Sequence, residues 1–276
     1  MPDPLVVCDS DNDGFAEFDL TQGEAGITGG DPDLLVSWHL TLIDAQNASL
    51  PIVPATAYVN ANPYSDVPVT DPADPAYGTR GVWARVESAT SSCYNIAPMA
   101  LEVRDSPMAT EPPPLRRCDD AVADGFAFFD LTLSAPDVLG ALDPLEFDLY
   151  WYVDQADAVA AGDVALTAPD FSLAIADPTN FLNTSNPQTV WVLVVGNASS
   201  TMPNNGSTGC YDVVPLQLIV DPNPEDLGPF LMQLCDDQES GSTTDQVSIF
   251  DLTTQDPLAT GGAPGLTVTW FASPAD

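Results

Sequence analysis

Apolar and polar side chains alternate along most of this chain with a period of two residues. The clearest run has apolar residues at the alternate positions Leu145, Phe147, Leu149, Trp151 and Val153. Comparable runs cover 34–42, 81–87, 99–103, 189–195 and 216–220. Because successive side chains of a strand point to opposite faces, these runs predict strands with one buried face. With a single helical turn expected over 154–161, the pattern predicts an all-β chain of tandem immunoglobulin-like antiparallel β-sandwich domains.

One succession of landmarks occurs twice along the chain and begins a third time. Each copy opens with Cys-Asp and continues through Phe-Asp-Leu (Phe18–Leu20 in the first) and a tryptophan strand, and the two complete copies close with a second tryptophan and Cys-Tyr. The spacing of the copies is that of whole domains. The predicted parts are β-sandwich repeats at 1–105 and 116–221, an incomplete repeat at 231–276, and proline-rich linkers at 106–115 and 222–230. Proline is expected to keep these linkers extended and stiff.

The third copy has only the first strands of a sandwich, among them the apolar residues Phe250, Leu252, Val268 and Trp270. An isolated half-sandwich exposes apolar faces and unpaired strand edges. We therefore expect this segment to be completed from outside itself. Either a longer parent chain continues it, or a neighbouring copy donates strands head-to-tail, which would build a fibre.

Charge and composition limit the partners of the chain. It has 41 acidic residues against five basic ones, all of them arginine, and a formal net charge of −36. Such a surface repels nucleic acid and anionic lipid and attracts divalent cations. A hydrophobic content of 45% is enough for packed cores. No apolar run is long enough for a membrane span, and the N-terminus has no signal-peptide pattern. We therefore predict no membrane insertion and a processed or excerpted part of a longer exported chain.

The five cysteines follow the repeat. Their matched positions predict two disulfides within repeats, Cys8–Cys93 and Cys118–Cys210, and leave Cys235 without a partner in its own repeat. Persistent disulfides require an oxidising compartment, so the predicted location is extracellular, at the cell surface.

The landmarks together resemble a known family of modules. Cys-Asp, Asp-Gly, Phe-Asp-Leu, Val-Trp-x-Arg-Val-Glu and Cys-Tyr, as they stand in the first copy, are similar to repeats in large secreted surface proteins of Bacteroidetes. Those proteins often end in sorting domains of gliding motility and type IX secretion. The second copy loses the even aspartate spacing, and the third also loses Asp-Gly. The resemblance implies extracellular adhesion or filament architecture and supplies no catalytic residue.

The acidic loop after each opening cysteine is the best chemical motif. Asp9, Asp11 and Asp13 followed by Gly14 reproduce the spacing of the first ligands in a calcium loop. The predicted calcium ligands across the three copies are Asp9, Asp11, Asp13, Glu17, Asp19, Asp119, Asp120, Asp124, Asp130, Asp236, Asp237 and Asp251, with Glu239 and Asp245 as further candidates in the third. Leu20 stands where an EF-hand has its last glutamate, and no helices flank the loop. The alternative is an acidic turn whose aspartates accept backbone N–H groups.

Two functions remain open on these grounds. The favoured one is an extracellular structural or adhesion array that forms a stalk or filament from copies of itself or from further repeats of the parent chain. The alternative is a set of carbohydrate-binding accessory modules of a secreted enzyme, with Tyr150 and Tyr152 as an exposed strip that stacks on surface glycans. The one histidine, His39, falls on the polar face of its strand and is predicted to be exposed. With no histidine-containing triad and no phosphate loop, we predict that the chain is not an enzyme.

Overall fold

The computed structural model describes residues 2–120, 122, 124–202, 206–224, 227–236, 238, 241–262 and 264–273. The chain divides into two compact units. The first comprises Met1–Arg117 and Ala127–Ile219, and it contains most of both complete repeats. The second comprises Cys118–Phe126 and Val220–Asp276.

The first repeat consists of eight strands, two short helices and a 3-10 turn. The strands are β1 (Leu5–Asp9), β2 (Glu17–Phe18), β3 (Leu34–His39), β4 (Tyr58–Val59), β5 (Ser65–Asp66), β6 (Val82–Ser88), β7 (Tyr94–Met99) and β8 (Leu101–Asp105). The helices are the 3-10 turn Leu20–Gly23, α1 (Glu24–Thr28) and α2 (Leu42–Asn47).

Two three-stranded sheets and one short ribbon form the first repeat. The sheets have the strand orders β1-β8-β5 and β3-β6-β7, and β2 pairs with β4. Between them lies an apolar core built from Phe18, Leu20, Trp38, Val82, Ala84, Met99, Leu101 and Val103. One pairing departs from the predicted antiparallel pattern, because β1 and β8 run parallel. A parallel pair needs a long connection, and here the whole repeat supplies it.

The second repeat has the same plan with fewer, longer strands. Its elements are β9 (Leu115–Cys118), β10 (Phe128–Phe129), the 3-10 turn Leu131–Ser134, α3 (Ala135–Leu139), β11 (Phe147–Tyr152), α4 (Gln155–Ala165), β12 (Phe181–Leu182), β13 (Gln188–Gly196) and β14 (Tyr211–Asp221). The main sheet has the order β11-β13-β14-β9, and β10 pairs with β12. Trp151 is buried in this repeat, as Trp38 is in the first.

The predicted aromatic strip of Tyr150 and Tyr152 is wrong. Tyr152 is fully buried, and Tyr150 stacks on Phe171 with 4.1 Å between ring centroids. The reason is helix α4, which is longer than the predicted turn and covers this face of the sheet. Its alanines Ala158, Ala161 and Ala165 form a buried cluster with Tyr152. Small residues let the helix approach closely, so both faces of this sheet are covered.

His39 is also buried, contrary to its predicted exposure. Its Nδ1 lies 2.7 Å from the carbonyl oxygen of Ser49, and its Nε2 lies 2.9 Å from Oγ of Ser37. Helix α2 and the chain that follows it bring Ser49 over the strand that carries His39. The end of β3 that carries His39 is therefore covered on this face, and both ring nitrogens of His39 have hydrogen-bond partners.

The second unit carries the third copy of the landmarks. It contains the 3-10 turn Leu252–Gln255 and helix α5 (Asp256–Ala259). Nε1 of Trp270 donates to Asp256 at 2.8 Å, and its ring meets Phe230 edge-on. Apolar side chains that are buried in the complete repeats are exposed here, with Phe250 44% and Leu252 42% accessible. From Cys235 onward, no described residue belongs to a strand.

The predicted fold class is confirmed in its main terms. The chain is mostly β with few helices, and its sheets pack in a sandwich-like arrangement in two tandem domains. Among the described residues, no helix is both long and apolar enough to cross a membrane.

Candidate functional site

A disulfide joins the two complete repeats. Cys8, in β1 of the first repeat, is bonded to Cys210, which immediately precedes β14 of the second, and their Cα atoms lie 5.5 Å apart. The predicted bonds Cys8–Cys93 and Cys118–Cys210 are therefore wrong. Within the first repeat, β1 belongs to the sheet β1-β8-β5, whereas Cys93 precedes a strand of the other sheet. The four cysteines predicted to be bonded include Cys8 and Cys210, but Cys93 and Cys118 are free thiols, and matched positions could not show which copy supplies the partner.

Hydrogen bonds reinforce this junction on both sides of the disulfide. Arg104 of β8 donates through Nη1 to the carbonyl oxygen of Thr208 at 3.0 Å and pairs through Nε with Glu102. The backbone N–H of Ala109 donates to the carboxylate of Asp212 at 2.9 Å. The segment between the repeats therefore lies against the second repeat and does not stand free as a stiff spacer.

A groove of about 570 Å³ lies beside the disulfide, between the two repeats. Val6 and Val7 of β1 line one wall, and α4 and Tyr211 line the other. The hydroxyl of Tyr211 donates to Asp163 at 2.6 Å. Burial and this bond to a carboxylate raise the pKa of Tyr211. Gly162 has to be glycine here, because a Cβ at that position would lie 2.4 Å from the Tyr211 ring.

The other three cysteines carry exposed thiols: Cys93, Cys118 and Cys235. Cys93 is the closing cysteine of the first repeat, and Cys118 and Cys235 are the opening cysteines of the second and third copies. The observed bond thus joins the opening cysteine of one repeat to the closing cysteine of the next.

The acidic loop of the first repeat is closed by Asp9. This aspartate is only 3% exposed, and its carboxylate accepts the backbone N–H groups of Asp11 at 3.1 Å and Gly14 at 2.7 Å. Gly14 has a φ of +88°, and a Cβ there would meet Pro63 at 2.8 Å. Asp13 accepts the N–H of Phe15 at 2.8 Å. These bonds are those of the acidic-turn alternative.

The same loop brings three carboxylates together. One oxygen each of Asp9, Asp11 and Asp13 lies within 4.8 Å of the others, in a group that does not include Glu17 or Asp19. Burial opposes ionisation of Asp9, but hydrogen bonds from Gly14 and Asp11 outweigh it and lower its pKa. The pKa of Asp11 is raised by its hydrogen bond with Asp9 and by the charge of Asp13.

The second and third acidic loops keep the closing aspartate. Asp119 accepts the N–H of Gly125 at 2.8 Å, and Asp119, Asp120 and Asp124 form the second group of carboxylates within 4.8 Å. In the third copy Asp236 accepts the N–H of Gln246 at 2.7 Å. Gln246 has a φ of +62°, so it takes the left-handed position that glycine holds in the other loops. Asp237 and Glu239 lie outside the described residues.

The aspartate of each Phe-Asp-Leu motif caps a 3-10 turn. Asp19, Asp130 and Asp251 each accept hydrogen bonds from the backbone N–H and the hydroxyl of the threonine two residues later. Bonds to Thr21 lower the pKa of Asp19. Glu17 is exposed on β2. The motif therefore has a structural role in all three copies, with the aspartate outside and its apolar neighbours directed into the core of each complete repeat.

Asn60 is a structural residue that the sequence pattern did not indicate. Asn60 is 3% exposed and ties the acidic loop to the body of the first repeat. Its side chain donates to the carbonyl oxygen of Gly14 at 2.9 Å and accepts the N–H of Ala16 at 2.8 Å. Asn183 accepts the N–H of Ala127 at 2.7 Å in the same way. Alignment of the two copies around this shared asparagine would have found it.

Replacement of Asp9 by asparagine should destabilise the first unit by about 1–3 kcal/mol, because one backbone N–H then faces an amide donor in a buried position. The lowered pKa of Asp9 means that its contribution is present above its ordinary pKa of 3.8 and is lost as pH falls through the lower folded value. Denaturant titrations between pH 7 and 3 should therefore show a shallower acid decline in Asp9→Asn. Asp13→Asn, which keeps the acceptor for Phe15, is the matched control and should remain near wild type.

The fold and the site define a class of protein: tandem β-sandwich repeats joined covalently by a disulfide between domains. The chain belongs to the Flavobacterium inter-domain disulphide bond domain family, whose model matches residues 4–107 and 114–224. Two tandem copies of this domain are consistent with the repeat modules of Bacteroidetes that the sequence resembles.

Comparisons with curated proteins and with solved structures give no further information about this chain. No curated protein matches the chain. A titin structure of domains I67–I69, an E-to-A variant, is 11% identical with a TM-score of 0.22, and the match covers 80% of this chain and 63% of the titin chain, less than two thirds of it. Human mucin-like protocadherin EC1-2 is 14% identical with a TM-score of 0.17, over 70% of this chain and 86% of that one. Likenesses at these TM-scores support no inference about fold or function.

Proposed function

We propose that this chain is part of an extracellular structural array that extends from a cell surface as a stalk or filament and serves adhesion. The observation that carries the proposal is the Cys8–Cys210 bond, which joins successive repeats and not the strands of one repeat. Such a bond resists separation of neighbouring domains, and it persists only in an oxidising compartment. A protein that acts as a spacer needs this property, whereas a single catalytic domain does not.

The charge of the chain suits the same role. With 41 acidic residues and five arginines, neighbouring arrays repel one another laterally and nucleic acid is not a partner. The partners along the array are further repeats of a longer parent chain or copies joined head-to-tail. The resemblance to secreted Bacteroidetes modules points to type IX secretion as the export route.

Carbohydrate binding is the weaker candidate. Its sequence basis was the aromatic pair Tyr150 and Tyr152, and the buried ring of Tyr152 is not available to a sugar. The exposed acidic surface offers hydrogen-bond acceptors but no aromatic platform at that place. A glycan array probed with the purified chain separates the two functions, since specific binding there would favour the accessory-module role.

Immunogold electron microscopy of the producing cells tests the proposed location and role. Antibodies raised against the whole 276-residue chain should label the cell exterior at a distance from the outer surface. Label confined to the cytoplasm would contradict the proposal. Loss of surface attachment in a strain that lacks the repeats, with secretion of other surface proteins intact, would support adhesion.

We further propose that calcium stabilises the acidic loops of the array. The loop of the first repeat holds one buried and two exposed carboxylates within 4.8 Å of one another, and the loop after Cys118 repeats this arrangement. Oxygen ligands at such spacing suit a hard divalent cation at about 2.3–2.6 Å. The cation would offset the repulsion among the three charges, and the exposed Asp11 and Asp13 keep free oxygen atoms for it.

Millimolar calcium should raise the unfolding temperature of the chain above its value in chelator, since a ligand held only by the folded state stabilises it, by about 2.7 kcal/mol at a hundred times the dissociation constant. Asp11→Ala should lose the part of the shift that comes from the first loop. Asp74→Ala removes an exposed turn aspartate elsewhere and should keep the full shift. Equal melting curves in calcium and chelator would leave only the acidic-turn role.

A further inference from the structure

We propose that the groove beside the Cys8–Cys210 disulfide binds a lysine side chain of a partner protein, together with an apolar residue next to that lysine in the partner's sequence. The inference rests on the adhesion proposed above and names the chemistry of the adhesion partner. Three properties of the groove support it: preformed apolar walls, polar side chains without hydrogen-bond partners, and an acidic lining.

The walls of the groove are held in place by the fold. Its volume of about 570 Å³ lies in the range that is usual for ligand sites, which often lie where two domains meet. Strand β1 is fixed by its pairing with β8, and α4 by its packing on β13. Cys8 lines the groove as well, so the disulfide fixes the spacing of the two walls. The apolar side chains of the lining are Val6, Val7, Val159, Leu166 and Val213.

Ser106 adds a buried hydroxyl to this lining. The residue is only 6% exposed, and its backbone N–H and carbonyl oxygen are both bonded to the side chain of Asn12. Its hydroxyl, in contrast, has no hydrogen-bond partner within the described part of the chain. Because a hydroxyl in this position has lost most of its contact with bulk water, a polar ligand atom that bonds to it improves the free energy of binding.

Gln155 and Asp163 of α4 add further acceptors to the groove. The side-chain amide of Gln155 makes no hydrogen bond to any residue that the structure describes. One oxygen of Asp163 accepts the hydroxyl of Tyr211 at 2.6 Å, which leaves the second oxygen open. Asp212 also lines the groove, but each of its oxygens already accepts a backbone N–H group.

These open acceptors favour an ammonium group over a guanidinium. An ammonium has three N–H donors, and Ser106, Gln155 and Asp163 offer a hydroxyl, an amide oxygen and a carboxylate oxygen. A guanidinium is best matched by a carboxylate with two free oxygens, and neither Asp163 nor Asp212 has both oxygens free. The apolar stem of a lysine can lie along the valines of the wall while its charged head reaches the polar groups.

The charge of the groove selects the same partner. Among the described residues that line it, two are acidic and none is basic. The net charge of −36 repels anionic ligands and attracts basic proteins. The chain contains no lysine, so the ammonium group has to come from another protein.

The size of the groove explains why the partner needs an apolar residue beside its lysine. At about 30 Å³ for each water-sized group, a lysine side chain fills only about a quarter of the groove. The remaining space lies against apolar side chains, which a neighbouring apolar residue of the partner covers.

The test uses the oxidised 276-residue chain and three capped tripeptides. The probe is N-acetyl-Leu-Lys-Leu-amide, and norleucine or arginine replaces the lysine in the two comparison peptides. Two-dimensional NMR at constant ionic strength should show that the lysine peptide shifts the backbone amide signals of Val6, Val7 and Val213. The norleucine peptide keeps the apolar stem without the charge, so it should bind at least about tenfold more weakly. The arginine peptide should have an intermediate affinity.

Two variants locate the site on the chain. Ser106→Ala keeps the backbone bonds of this residue and removes its hydroxyl, so it should weaken binding of the lysine peptide about two- to tenfold. Asp163→Asn should weaken binding by a similar factor, because it removes the charge that faces the ammonium group. Asp157→Asn is the matched control, since Asp157 lies on the same helix but outside this groove, and it should bind as the wild type does.

Several results would overturn the proposal. Equal affinities for the lysine and norleucine peptides would show an apolar groove without a cation site. An equal loss in Asp157→Asn, or shifts confined to residues outside the groove, would show only a general attraction to an acidic surface. Displacement of the peptide by millimolar calcium at the same ionic strength would assign the carboxylates to a metal ion. None of these results would bear on the surface location of the array, which microscopy tests separately.

Discussion

Replacement of Cys8 by serine is expected to lower the free energy of unfolding of the two-repeat unit by about 5 kcal/mol, the chain-entropy value for a loop of this length. The bond spans a sequence separation of 202 residues, so its loss frees most of the chain in the unfolded state. The measurement is denaturant unfolding without reductant, followed by the same titration with it. In reductant, the free energy of unfolding of the wild type should fall close to that of the Cys8→Ser variant.

Cys210→Ser should produce nearly the same loss, and the double variant should add nothing, because both substitutions remove one bond. Cys93→Ser is the matched control, since its thiol is exposed and free. A Cys93→Ser variant as unstable as Cys8→Ser would mean that the first repeat contains the disulfide within itself.

Replacement of Phe18 by alanine is expected to destabilise the first unit by about 3–5 kcal/mol. Phe18 is fully buried, beside Leu20 and Trp38 in the core of the first repeat. Truncation removes apolar contact and leaves a cavity that the flanking sheets cannot fill. Thermal or denaturant unfolding of the full chain measures the effect.

The third copy of the same motif offers the control. Phe250 precedes Asp251 as Phe18 precedes Asp19, but it is 44% exposed. Phe250→Ala should therefore change the stability by less than about 0.5 kcal/mol. Equal effects at the two positions would show that the third segment packs a core of its own in this chain.

The alternating pattern and the repeated landmarks were enough to predict the strands, the tandem organisation and the buried tryptophans Trp38 and Trp151. These features depend on the local alternation of apolar and polar residues, which is visible in the sequence itself. The burial of the second face of each strand was harder to predict. Tyr152 and His39 lie on positions that alternate with the core, and they are buried because a helix or a loop covers the second face. Such cover depends on the path of the chain after the strand, which the period of two does not report.

The disulfide pairing failed for a related reason. Cys8 matches Cys118 as an opening cysteine, and Cys93 matches Cys210 as a closing cysteine, but matched copies give the same pattern whether the bond closes one repeat or joins two. Only the placement of β1 beside β8, away from the strand that follows Cys93, distinguishes them. The acidic loops are a second case in which one sequence pattern fits two structures. Their spacing fits a cation site and also fits the N–H acceptors that the structure displays at Asp9 and Asp119.

Single-molecule stretching of the chain between its two termini tests the covalent connection of the repeats most directly. In the oxidised protein, the residues between Cys8 and Cys210 should remain shielded from the force while the rest of the chain extends. Reductant, or Cys8→Ser, should release them and add about 700 Å of contour length, at 3.3–3.6 Å per residue over the separation of 202. The same total length with and without reductant would contradict a disulfide between the repeats, and with it the account of this chain as a covalently joined array.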